Sequence, residues 1–140
     1  MIQYCTHLGH VVKDLNKALE LYTNVLGLRA RSSQIGQIPG GKALMVALGS
    51  QSIELIEPTD AEHRVGKFLE RHGEGWFHVS LRVDDIEAEV RSLRRKGIIV
   101  EDPRHFSTAR TGPRIAFIEP QSVYGAVIEL NEEGPPETRP

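Results

Sequence analysis

The chain has 140 residues, 39% of them hydrophobic, with a formal net charge of −2 and one cysteine. That length gives one domain, or two small halves around a shared core. The charge offers no electrostatic case for nucleic acid or an anionic membrane surface, and a lone Cys5 excludes an internal disulfide and suits a reducing compartment. No apolar run of membrane-spanning length and no signal peptide are evident, so a cytoplasmic protein is expected.

In chain order, residues 4–12 alternate loosely and predict a strand. Asp14 is placed to cap a helix in which Leu15, Ala18, Leu19, Tyr22, Val25 and Leu26 follow helical spacing, ending at Gly27. Residues 28–33 predict a second strand, and 35–41, with Gly, Pro and Gln, a loop. Residues 42–48 and 52–56 predict a hairpin about Gly49-Ser50-Gln51. The order is βαβββ. Residues 61–72 predict a linking helix, with Val65, Phe68 and Leu69 inward and with His63 and His72 facing solvent. The same order then recurs. Residues 76–83 read as a strand, 85–96 as a helix with Gly97 as its cap, and 98–101 as a strand. A long loop spans 103–113, and a final hairpin joins 114–118 to 126–130. The tail at 133–140 is rich in Pro and Glu and is expected to be disordered.

The recurrence carries the chemistry. Ile53-Glu54-Leu55 and Ile128-Glu129-Leu130 repeat, and His7 to Asp14 and His78 to Asp85 are each seven residues. Each module therefore carries one His near its start and one Glu near its end. A lone His in a strand is ordinarily a hydrogen-bonded core residue, and a lone Glu between aliphatics ordinarily a solvated face. Both residue types recurring at matched places point instead to convergence. His7, Glu54, His78 and Glu129 together would make a divalent-metal site of two imidazoles and two carboxylates. Strand parity sends His10 to the opposite face from His7, so the two are not a chelating pair.

These segments resemble the vicinal oxygen chelate superfamily, which includes glyoxalase I, extradiol dioxygenases and antibiotic-resistance proteins. Within it they look most like the methylmalonyl-CoA epimerases. The resemblance rests on residues 7–15, 53–59, 67–75, 84–86, 114–117 and 125–130. It implies an α+β fold of two tandem βαβββ modules, about 4–58 and 76–132, joined by a linking helix at about 61–72. A curved mixed sheet would surround a metal, which could be Co, Mn, Ni, Fe or Zn. It also implies a homodimer and an acyl-CoA substrate. The implied reaction is epimerisation of a 2-methyl-3-oxo thioester such as methylmalonyl-CoA. An α-proton would leave to Glu54 or Glu129, with a metal-stabilised enolate between.

The alternatives are a glyoxalase I-like lactoylglutathione lyase, a dioxygenase, and a binding or resistance protein. The family's His-Pro-Lys in the last hairpin is Glu119-Pro120-Gln121 here, and the acidic residue some epimerases carry on the third strand has no counterpart around Lys42-Ala43-Leu44-Met45. With that lysine gone, the cations left for the anionic end of an acyl-CoA are Arg104, Arg110 and Arg114, with Arg114 able to grip a carboxylate or phosphate bidentately, and His105 in the long loop is a further candidate to reach the substrate.

Overall fold

The computed structural model describes residues 1–106, 110 and 112–132; the tail at 133–140 lies outside the described residues. The chain divides into two compact units, Thr6–Phe77 and Met1–Cys5 together with the chain from His78 on. Among the described residues no helix is long and apolar enough to cross a membrane.

In the first unit, β1 (Ile2–Val11), which belongs to it from Thr6 on, leads to α1 (Leu15–Glu20), which continues as one π-helical turn over Leu21–Val25. Asp14 caps α1 by accepting from the Lys17 N–H at 3.1 Å. The regular helix expected as far as Gly27 thus widens in its second half, where the Thr23 hydroxyl donates to the Leu19 carbonyl at 2.8 Å. Four strands follow: β2 (Arg29–Ala30), β3 (Gly36–Ile38), β4 (Gly41–Leu48) and β5 (Gln51–Pro58). The lateral order is β2-β4-β5-β1, with β3 also paired to β4. β4 and β5 are antiparallel, whereas β5 and β1 are parallel. Two segments depart from the expected strand pattern. Residues 35–41 were expected as a loop, but Gly36 pairs with Ala43 and Ile38 with Gly41. Residues 28–33 were expected as a full strand, but β2 keeps two residues.

Val12, Leu15, Tyr22, Leu44, Val46, Ile53 and Leu55 make one buried cluster on the α1 side. Ile53 and Leu55 therefore face α1, and alternation sends Glu54 to the other face of the sheet. α2 (Arg64–His72) begins three residues later than expected. His63 is its cap rather than a solvent-facing side chain: the ring nitrogen accepts from the Val65 N–H at 3.4 Å. The ring also lies against Gly40, where a Cβ would collide with it, and Gly66 lets α2 close on the Asp60 carbonyl in the same way.

The second unit repeats the plan. β6 (Gly75–Val83), which belongs to this unit from His78 on, precedes α3 (Ile86–Arg95), capped by Asp85, which accepts from the Ala88 N–H at 2.9 Å. β7 (Arg104–His105), β8 (Arg114–Ile118), a 3-10 turn (Pro120–Val123) and β9 (Ile128–Glu132) complete it, in the lateral order β6-β9-β8-β7. Val83, Ile86, Val90, Val100, Ala116, Ile118 and Leu130 form its core against α3. Residues 98–101 form a single bridge, Val100 to Ile118, rather than the expected strand. The Glu101 N–H donates to the Phe117 carbonyl at 3.0 Å and the Glu119 N–H to the Ile99 carbonyl at 2.8 Å, while the Val100 carbonyl between them accepts from the Arg94 guanidinium at 2.7 Å.

The duplication extends to the helix starts. Glu57 Oε1 accepts the Leu15 N–H at 3.0 Å, and Glu132 Oε1 accepts the Ile86 N–H at 3.0 Å. Each glutamate is held by a cation opposite it on the neighbouring strand: Lys42 at 3.0 Å from Glu57, and Arg114 at 2.9 Å from Glu132. A carboxylate at a helix start satisfies an orphan donor and complements the helix dipole.

Candidate metal centre

In each unit a histidine strand runs parallel to a glutamate strand in the same register. Gly9 pairs with Glu54, two residues after His7, and Ser80 pairs with Glu129, two residues after His78. Within each pair, His and Glu share the sheet face opposite the helix. His7, Glu54, His78 and Glu129 are all buried, at 5–8% exposure. Ionisable groups so withdrawn from water need partners.

Local contacts orient these groups. His7 Nδ1 is 3.2 Å from the Thr6 hydroxyl, and His7 Nε2 is 3.8 Å from Glu54 Oε1. In the tautomer that protonates Nδ1, Nε2 keeps its lone pair on the Glu54 side. The His78 ring meets the edge of Phe117 with centroids 6.0 Å apart, and Phe117 lies opposite Glu129 across β8 and β9. The Ser80 hydroxyl donates to Glu129 Oε1 at 2.8 Å. Asn131, on the Glu129 face two residues on, has a buried Oδ1 with no hydrogen-bond partner among the described residues.

Of the four expected ligands, three form one group: His7, His78 and Glu129 each offer a ligand atom within 4.8 Å of the others. Glu54 lies outside that group and adjoins it through His7. Two imidazoles and a carboxylate, all buried, fit a borderline divalent ion. Burial also lowers the His7 pKa from 6.5 to about 4, so the ring is neutral and able to ligate at physiological pH.

That shift has a measurable consequence. As pH falls, the unfolded chain protonates this ring near 6.5 and the folded chain only near 4. The unfolded state thus binds the extra proton across that window, and the metal-free protein should lose stability from about pH 6.5 to about 4, by about 3 kcal/mol from this group. Denaturant titrations across that range would measure it, and His7→Gln should remove this part of the slope.

The other sequence candidates stand elsewhere. His10 packs on the α1 side as parity required, its Nδ1 2.8 Å from the Tyr22 hydroxyl. His105 lies in β7 opposite Arg114, with Nδ1 3.3 Å from the Gly112 carbonyl. Arg110 is exposed, with φ 56°, in a stretch whose neighbours 107–109 and 111 lie outside the described residues. Arg114 shares its strand face with Ala116 and Ile118, the α3 side, and its guanidinium is engaged by Glu132 at 2.9 Å and Glu87 at 3.1 Å. The structure does not bring Arg114 to the Glu129 face. Arg114→Ala should therefore cost about 1 kcal/mol of stability, partial exposure discounting its ion pairs, and leave metal affinity unchanged. Parallel denaturant and metal titrations would separate the two effects.

Two modules with His and Glu in matched register, on mixed sheets with few helices, make an α+β arrangement of the vicinal oxygen chelate class. The chain belongs to the Glyoxalase/Bleomycin resistance protein/Dioxygenase superfamily, whose family model matches residues 6–117. A mitochondrial methylmalonyl-CoA epimerase of Dictyostelium discoideum is 30% identical over 129 residues, 91% of this chain and 76% of that protein. The crystal structure of methylmalonyl-CoA epimerase from Mycobacterium tuberculosis superposes with a TM-score of 0.84 at 31% identity, covering 96% of this chain and 90% of that one. A methylmalonyl-CoA epimerase in complex with methylmalonyl-CoA and NH4+ gives 0.83 at 26% identity, covering 96% and 100%.

Proposed function

We propose that the chain is a divalent-metal-dependent epimerase of a 2-substituted malonyl thioester carried on CoA, with methylmalonyl-CoA as the leading substrate. The observation that carries this reading is the buried group of His7, His78 and Glu129, with donor atoms within 4.8 Å, in a relative of methylmalonyl-CoA epimerases. A bound divalent ion supplies a Lewis acid for the negative charge that develops on the thioester oxygen. His7, His78 and Glu129 would hold that ion. Glu54, beside His7 but outside the group of three, accepts the α-proton and forms a carboxylic acid. The resulting enolate is planar at the α-carbon, so when it turns its other face to the Glu54 carboxylic acid, return of that proton inverts the centre and regenerates the carboxylate. Burial of the four side chains keeps water from competing for these groups.

The test is incorporation of solvent deuterium at the α-carbon of methylmalonyl-CoA. A chelator should abolish it, and Co or Mn should restore it. Formation of lactoylglutathione from the methylglyoxal–glutathione adduct, without exchange into the acyl-CoA, would replace this reading with a glyoxalase one.

A further inference from the structure

The two units match in topology, register and helix capping, yet differ at one position beside each glutamate. Gly9 stands opposite Glu54 and offers no side chain, whereas Ser80 stands opposite Glu129 and donates its hydroxyl to Oε1 at 2.8 Å. Ser80 is fully buried, at 0% exposure, on a strand face shared with His78 and Glu129. A serine there is not needed for packing, since alanine would fill nearly the same volume. It is a polar group placed where its hydroxyl reaches a carboxylate.

Resting on the metal-site reading above, we infer that Ser80 is a positioning residue for Glu129. The hydroxyl–carboxylate bond is charge-assisted, and it occupies one of the roughly four lone-pair positions of the carboxylate. It therefore restricts rotation of the carboxylate plane and decides which lone pairs face the cation. Partners that hold a ligand in this way commonly change metal affinity by about 10- to 100-fold when removed. The first unit has a glycine at the matching place, so the two glutamates are not equivalent. Glu129 is held as a ligand by a neighbour that Glu54 does not have at its register position, which agrees with Glu54 being the proton acceptor.

The experiment compares Co(II) binding to the full-length wild-type protein, Ser80→Ala and Ser80→Cys by competition with a chromophoric chelator. Thermal unfolding of each is recorded with and without the metal. Ser80→Ala should weaken Co(II) about 10- to 100-fold. The gain in Tm on adding metal should shrink accordingly, since that gain follows affinity. The cobalt absorption spectrum should change in the loaded variant. Ser80→Cys, which keeps a weak donor in a similar volume, should fall between, and it serves as the test if the alanine variant does not fold. In a Glu129→Gln background, Ser80→Ala should bring little further loss, because it acts through Glu129. Tight binding by wild type with equal affinity and spectrum in both Ser80 variants overturns the inference alone. No metal binding by wild type overturns the reading of the site and the inference with it.

Discussion

His78→Ala is expected to strip the divalent ion from the protein and to stop α-proton exchange. Three donors lie within 4.8 Å, and removing one leaves an imidazole and a carboxylate, a poor site at micromolar metal. The rate should fall by about a thousandfold or more, because removing a focused electrostatic contribution to a developing oxyanion has effects of that order. Loss of the edge contact with Phe117 makes His78→Ala a packing change as well. Glu129→Gln preserves volume and should lose metal too, so the pair separates ligation from packing. Metal content by mass spectrometry and exchange by NMR are the readouts. Full occupancy in both variants would falsify the assignment.

Glu54→Gln should behave differently. Glutamine keeps the shape and an oxygen, and the group of His7, His78 and Glu129 remains, so most of the metal should be retained. An amide cannot accept the α-proton, and loss of a general base costs about 10²- to 10⁴-fold. The expected result is thus a loaded protein with little exchange, with the loss in kcat rather than in KM. Metal loss matching that of Glu129→Gln would make Glu54 an indispensable ligand instead. Wild-type exchange in a loaded Glu54→Gln would leave the proton without its proposed acceptor.

Much of this arrangement was legible in the residues because it occurs twice. A histidine or glutamate in a strand says little alone; His7 with Glu54 and His78 with Glu129, at matched distances from helix caps, say more. Strand parity placed His10 away from His7, where it meets Tyr22. Parity could also have been applied to Arg114, which alternates with Ala116 and Ile118 on the α3 face. Its charge alone suggests an anionic substrate, whereas its register assigns it to the helix side of the sheet. The recurrence of Glu57 and Glu132, three residues after Glu54 and Glu129, was likewise available, and it makes Lys42 and Arg114 counterparts that hold the helix-capping glutamates.

Other features had no signal of their own. Ser80 is an ordinary strand residue until β9 is laid parallel beside β6 and Glu129 falls opposite it. Asn131 is an ordinary polar residue until its Oδ1 is found buried. The Val100 bridge and the short β3 depend on which carbonyls and N–H groups neighbouring segments leave for pairing. Periodicity, caps and the repeat are local properties, set by φ/ψ preferences and by the alternation of side chains along a strand, so the chain states them by itself. Which Glu groups with the two histidines, which arginine is engaged by a structural ion pair, and which serine meets a carboxylate depend on register between segments distant in sequence, about 50 residues for Ser80 and Glu129. Long-range hydrogen bonding and packing decide that register, and one strand carries no information about its neighbour's offset.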